Sequence, residues 1–330
     1  MKNKKQHVIP ACYLKAWCDP TTPAGQTPYI WRISKDGSTK KKKSPDKSFT
    51  ETDRYTIRLP NGDRDLTVEH TLAGLENQFV QVLKRIRRRE KLSVWDKARL
   101  CMFTAAMHSR TKAMGAHWKE FWEKVHGQVV AGERKHNAKP ITSLETAEIV
   151  ERANQDLVMV ALQEQTPLYF AMGMSILVTN DDDGFITSDA PCTWVNPKAH
   201  TFPPGLRYPA LGQPEIEVSL PLTPQHLLLI SHVRYPLYTD VPQSSVDNAN
   251  GIRLDFCTEE FVSWKGSIRP DWFKVPEQQT DAWENTPEGK KSMAQHEEDL
   301  KHQREWEAEQ KAKSDKQTPN QENNSDTTVP

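Results

Sequence analysis

Apolar residues recur at spacings of three and four from position 68 to 86, placing Val68, Leu72, Leu75, Phe79, Val82, Leu83 and Ile86 on one stripe of a predicted helix with a buried face. Ser93 and Asp96 then stand three apart like a capping pair, ahead of a second predicted helix over about 95–112. Its core positions are Leu100, Phe103, Thr104 and Met107, and a second line carries Cys101, Ala105 and His108. Met114, Trp118, Phe121, Trp122, Val125 and Val129 give a third helical pattern with large aromatic knobs. A loop over 132–140 and a further capping pair, Thr142 with Glu145, predict a fourth helix reaching about Gln165.

After Pro167 the pattern changes to short apolar runs at 174–179, 184–188, 215–220, 227–233 and 257–264, separated by turn-forming residues. No helix-length amphipathic segments lie between them, which predicts antiparallel pairing rather than a doubly wound parallel sheet. A short strand at 29–33 and a strand or turn around Arg54, Tyr55 and Ile57 precede the helices. From 277 onward the chain is rich in Glu, Gln, Lys, Asn and Asp, with few apolar residues, and is expected to be a disordered tail with at most transient helix. The expected architecture is therefore α+β. One domain over 1–276 places an N-terminal helical layer on a mainly antiparallel C-terminal β-sheet, and the tail covers 277–330.

Composition narrows the function classes. With 44 basic and 44 acidic side chains in 330 residues the net charge is zero, which argues against strong non-specific DNA binding, although a local basic patch would survive it. Two such patches are present. One is the lysine tetrad at 40–43, the other the group Lys84, Arg85, Arg87, Arg88, Arg89 and Lys91 at the end of the first long helix. There the cations complement the helix dipole, and a phosphate-binding face would need further basic residues brought near by the fold. The five cysteines form no CxxC pair, which points away from a zinc finger or disulfide framework and toward a reduced, cytoplasmic setting. No secretory signal is recognisable, and no window approaches the roughly 18 apolar residues of a membrane span.

The candidate chemistry lies in polar residues that interrupt these patterns. Gln6 and His7 precede Val8, Ile9 and Pro10, with Tyr13, Leu14 and Trp17 a turn later, so the N-terminus is expected to dock and to hold its imidazole in place. Glu76 falls at the edge of an apolar stripe and must meet a cation or a donor; a salt bridge to a neighbouring helix would serve. His108, Arg110 and Thr111 present an imidazole, a guanidinium and a hydroxyl within one turn, against the plainer reading of a core-edge histidine and an ion-paired arginine. Thr187, Ser188, Asp189, Ala190 and Pro191 would leave Ser188 and Asp189 at a sheet rim, unless Asp189 simply caps backbone amides. No GxSxG elbow surrounds Ser188. Asp181, Asp182, Asp183 and Gly184 lack the spaced carboxylates of a calcium loop and read as a turn. Asn248 lies in an Asn-rich turn that could offer an amide to a ligand.

Taken in order, the segment 6–10, Arg54 with Tyr55, Glu76, 108–111, 187–191, 220–224 and Asn248 resemble DUF4238, an uncharacterised bacterial family. Its members begin with a similar histidine-and-proline segment and carry a Ser-Asp-x-Pro element ahead of a Pro-Leu-Ser/Thr-Pro element. The resemblance implies grouping and domain extent, spanning nearly the whole ordered chain, and implies no mechanism. Two functional expectations follow from the residues. In the first, His7, Glu76, His108 and Asp189 hold a divalent metal such as Mg²⁺, Mn²⁺ or Zn²⁺, with His7, His108 and Asp189 catalytic, in a hydrolase acting on a phosphodiester or nucleic acid. In the second, Gln6, Arg54, Arg110, Ser188 and Asn248 bind a nucleotide, a nucleic acid or another anion without catalysis, or the protein is an interaction module.

Overall fold

The computed structural model describes residues 5–59, 61–274 and 282–316, and the described chain begins with short strands rather than helices. β1 (Lys5–His7) leads through the single turn α1 (Ala11–Leu14) to β2 (Ile30–Ser34), β3 (Lys40–Lys43), β4 (Thr50–Thr52), β5 (Ile57–Arg58) and β6 (Arg64–Asp65). Pro10 is the N-cap of α1, where its missing N–H costs nothing. Tyr13, Leu14 and Trp17 are fully buried, so the N-terminal segment is docked as its sequence predicts.

Five helices follow. In α2 (Thr67–Arg87) the seven apolar residues of the predicted stripe are all buried. The capping pair before α3 (Val94–Ser109) is formed in both directions: Ser93 Oγ accepts from Asp96 N at 3.1 Å, and the Asp96 carboxylate accepts from Ser93 N at 3.0 Å. Arg85 of α2 binds both oxygens of Asp96, at 2.5 and 2.6 Å, and Phe79 stacks on Phe103 with ring centroids 3.8 Å apart. Together these fix α2 against α3. Thr111 caps α4 (Lys112–Lys135) by accepting from Met114 N.

The predicted fourth helix is two, α5 (Ile141–Glu151) and α6 (Ala153–Ala171), parted at Arg152. Pro140 occupies the N-cap of α5, and Glu133 of α4 takes the free N–H of Ser143, so the Thr142–Glu145 pair has no capping role. α6 also continues through Pro167 to Ala171. An exposed proline just before the last turn removes one hydrogen bond without forcing the helix to stop.

The remaining strands are β7 (Gly173–Val178), β8 (Thr187–Ser188), β9 (Thr193–Val195), β10 (Glu217–Thr223), β11 (His226–Ser231) and β12 (Tyr238–Asp240); α7 (Gln243–Phe256) and β13 (Glu260–Ser263) complete them. One sheet has the order β12-β7-β11-β10-β9, antiparallel except for the parallel pair β12 and β7. A second, antiparallel throughout, has the order β3-β2-β13-β8. Strands from before the helices thus share a sheet with strands from the end of the fold. The protein is α+β with several antiparallel sheets, but its helices are spread along the chain and do not form a separate N-terminal half.

Contacts divide the chain into two compact units, one of residues 1–197 with 209–276 and the other of 198–208 with 277–330. The first unit contains every element named so far. In the second, the described residues form short 3₁₀ turns and α8 (Pro287–Lys316), whose side chains through residue 309 are exposed apart from Gly289. The expected disorder of the tail falls partly on 277–281 and 317–330, which lie outside the described residues. Its charged middle is helical, as its Glu, Lys, Gln and Ala content favours. No described helix is long and apolar enough to cross a membrane.

Candidate functional site

β1 brings Gln6 against the β4–β5 connection, where it is almost fully buried. Its amide donates to Thr56 Oγ1 at 3.1 Å and Glu69 Oε2 at 2.9 Å, and its oxygen accepts from Tyr55 N at 2.6 Å. Arg110, at the C-cap of α3, reaches the same place with three bonds: to Glu76 Oε1 at 2.8 Å, to the carbonyl of His7 at 2.5 Å and to Tyr55 OH at 3.3 Å. Burial alone would lower its pKa, yet Tyr55 and Glu76 outweigh that and raise it. Glu76 thereby gains the cation that its half-buried position demands. Arg54 is held by Glu51 at 2.5 Å and by the carbonyl of Thr111 at 3.1 Å. Gln6, Arg54, Tyr55, Glu76 and Arg110 are brought together: hydrogen bonds between Gln6 and Tyr55 and from Arg110 to Tyr55 and Glu76 satisfy buried polar groups, and the guanidinium groups of Arg54 and Arg110 also lie 5.9 and 5.4 Å from the centroid of the Tyr55 ring.

His108 lies apart from this hub. Its ring stacks on Trp194 of β9 with centroids 4.3 Å apart, and burial pulls its pKa down to about 4, leaving it neutral near pH 7. Asp189 is occupied by the turn before β13, accepting from Thr258 N at 2.9 Å, Thr258 Oγ1 at 2.7 Å and Glu259 N at 2.6 Å. Ser188 is fully buried and accepts from Ala190 N at 3.1 Å. Asn248 is exposed on α7, while Asn250 is buried, donating to Gly184 O and accepting from Ile186 N. The segment read as an Asn-rich turn is therefore a helix, and the amide that matters in it is Asn250.

The expected metal centre is not assembled. Among the described residues no three His, Cys, Asp or Glu side chains are grouped to hold an ion. The physical reason is that Arg110 engages Glu76, backbone amides engage Asp189, and His108 is packed against an indole. His7 contributes its carbonyl to Arg110, and its Nε2 is buried without a hydrogen-bond partner. The acidic run 181–183 is likewise neutralised from within: Arg269 binds Asp181 at 2.6 Å, Asp183 at 2.6 Å and Asp247 at 2.9 Å.

A different group of charges remains open. Where α1 and the following turn (Lys15–Trp17) meet α2, a cavity of about 310 Å³ is lined by Cys12, Lys15, Ala16, Val80, Leu83, Lys84 and Arg87. Arg85, Arg88 and Arg89 of the same basic helix end pair with Asp96, Glu90 and Asp240. Lys84, Arg87 and Lys15 form no ion pair among the described residues. No carboxylate lines the cavity, and desolvation lowers the pKa of Arg87, as expected of a guanidinium lacking a counter-charge. Cys12 is no nucleophile: burial, then the charge of Glu76, push its thiol up to about 12. Lys84 and Arg87 were visible in the sequence as part of a basic cluster. Lys15 was not, because its approach depends on how the N-terminal turn docks.

A second cavity, of about 570 Å³, lies between the β4–β5 region and α5–α6, and it contains Arg54. Its three arginines, Arg54, Arg58 and Arg152, share the lining with four acids, Glu51, Asp53, Glu148 and Glu151, and Glu51 pairs with Arg54 while Glu148 pairs with Arg152 at 3.5 Å. It offers no comparable excess of one charge.

No curated protein and no solved structure matches the chain. The sequence model of a family described as a protein of unknown function (DUF4238) matches residues 5–265, which is most of the chain and spans both the polar hub and the cationic cavity. The chain belongs to the DUF4238 family.

Proposed function

We propose that the protein binds a phosphate-bearing ligand of the nucleotide class in the cavity between α1 and α2. One observation carries this reading: Lys15, Lys84 and Arg87 line a single cavity without any carboxylate to neutralise them. Ala16, Val80 and Leu83 supply an apolar wall on which a ligand's uncharged part would rest. The volume of about 310 Å³ falls at the lower end of small-molecule sites, which suits a mononucleotide better than a polymer. The reading is binding without hydrolysis, since the cavity lining contains neither an acid nor an imidazole to activate water.

Titration calorimetry with AMP, ATP and inorganic phosphate in metal-free buffer tests it. A charge-assisted hydrogen bond contributes roughly 1.5–3 kcal/mol, so Lys84→Glu and Arg87→Glu should each weaken binding at least about tenfold. Lys119→Glu on α4, outside the cavity, should not. Absence of binding at millimolar ligand, or equal affinity in all three variants, would overturn the proposal.

A further inference from the structure

Arg253 projects from α7 into the interior of the first unit and is fully buried. Its Nη2 donates to Ser219 Oγ at 3.0 Å and to the Ser219 carbonyl at 3.4 Å. Nε and Nη1, equally buried, have no hydrogen-bond partner. Among the described residues no carboxylate pairs with this guanidinium. The ionisable groups whose charge reaches it are the phenol of Tyr13 and the thiol of Cys192. Burial keeps both neutral, raising Tyr13 and pushing Cys192 up to about 12. Burial also draws Arg253 down to about 10, which still leaves it charged at neutral pH. A buried cation without a counter-charge is among the most costly arrangements a protein can hold.

The surroundings repeat the imbalance. Tyr13 OH lies 2.7 Å from Thr187 Oγ1, and Thr193 Oγ1 lies 2.9 Å from Ser219 Oγ. Each hydroxyl pair uses one proton internally and keeps one to donate. The two unpartnered N–H groups of Arg253 thus sit in an interior that also holds two hydroxyl pairs, each with one proton not used within the pair.

We propose that a small inorganic anion of halide size occupies this interior beside Arg253, accepting from its Nε and Nη1 and from the neighbouring hydroxyls. The closed surroundings select the size: Tyr13, Thr187, Thr193, Cys192 and Arg253 are all buried, which leaves no opening for an organic body. The ion would brace α7 to α1, β8, β9 and β10, which carry those groups. This site is independent of the proposed ligand cavity, whose lining shares none of these residues.

The test uses the full chain at fixed ionic strength, replacing sodium gluconate by sodium bromide. An ion bound only by the folded state at a hundredfold excess over its Kd should raise Tm by on the order of 5 °C. Crystals grown in bromide should show an anomalous peak within hydrogen-bonding reach of Nε and Nη1. Arg253→Met should abolish the halide-dependent shift, and Thr193→Val should reduce it if Arg253→Met fails to fold. A wild-type Tm indifferent to bromide, with no anomalous peak at Arg253, would overturn the proposal and assign the space to water.

Discussion

Replacing Arg110 by Met should cost the fold about 4 kcal/mol. Arg110 has 3% of its side-chain surface exposed and Glu76 has 23%, so the pair is closed on one side and partly wet on the other. Removing one partner of a buried ion pair costs about 3–5 kcal/mol, and the residual exposure of Glu76 places this case at the low end. The stranded carbonyl of His7, bonded at 2.5 Å in the native protein, adds roughly 1 kcal/mol, while Tyr55 OH loses only a long bond of 3.3 Å. Urea denaturation followed by fluorescence would measure the change as a fall in midpoint at constant m-value.

A double-mutant cycle with Glu76→Leu sharpens the result. If the guanidinium and carboxylate act on each other, the double variant should be more stable than the sum of the single changes implies, by roughly 1.5–3 kcal/mol. A loss below about 1 kcal/mol in Arg110→Met, or coupling indistinguishable from zero, would refute the view that these residues serve the fold.

Three further outcomes are expected. His108 is held near pKa 4 against an ordinary 6.5, so the unfolded chain binds its proton first; stability should be fully present above pH 6.5 and fall as pH drops toward 4, by on the order of 3 kcal/mol, and His108→Phe should flatten that slope in pH-dependent urea melts. Gly184 has φ +66°, and a Cβ there would meet Pro224 O at 2.2 Å, so Gly184→Ala should destabilise by at least about 3 kcal/mol in the same assay; a loss under about 1 kcal/mol would contradict it. Asn250→Ala should cost about 2–4 kcal/mol by stranding Gly184 O and Ile186 N, whereas Asn248→Ala should stay within about 0.5 kcal/mol; equal effects would mean that the two amides are wrongly distinguished.

The helical layer was legible wherever its apolar residues alone declared a face. The α2 stripe is the clearest case, and the Ser93–Asp96 box marks the next start because both halves of the signal lie three residues apart. α7 was hidden for the opposite reason. Of its four buried positions, Val246, Asn250, Arg253 and Leu254, two are polar, so its inward face does not look apolar in the sequence. The parallel strand β12 is only three residues long and pairs with β7 across more than sixty residues, a partnership that no local pattern encodes. At the site, the need of Glu76 for a cation could be read from the helical wheel. That the cation would be Arg110, at the end of the next helix, is a matter of how α2 and α3 cross.

The motifs by which the chain resembles its family and the residues that line the cationic cavity barely overlap. Gln6, Tyr55, Glu76 and Arg110 close the polar hub, Asp189 ties down the turn before β13, and Thr187 accepts or donates to Tyr13. Apart from Asp189, whose bonds to that turn are exposed, each stands where an altered side chain would leave a buried donor or acceptor unmet, which is a constraint of folding and takes no account of a ligand. Lys15, Lys84 and Arg87 stand under no such constraint: they are exposed, unpaired, and replaceable without disturbing a hydrogen bond. A scaffold that keeps the hub can therefore change the charge of the cavity freely. It follows that relatives sharing the hub should fold alike while differing in what they bind. The presence of cations at these three positions, more than membership of the family, is what should predict affinity for phosphate.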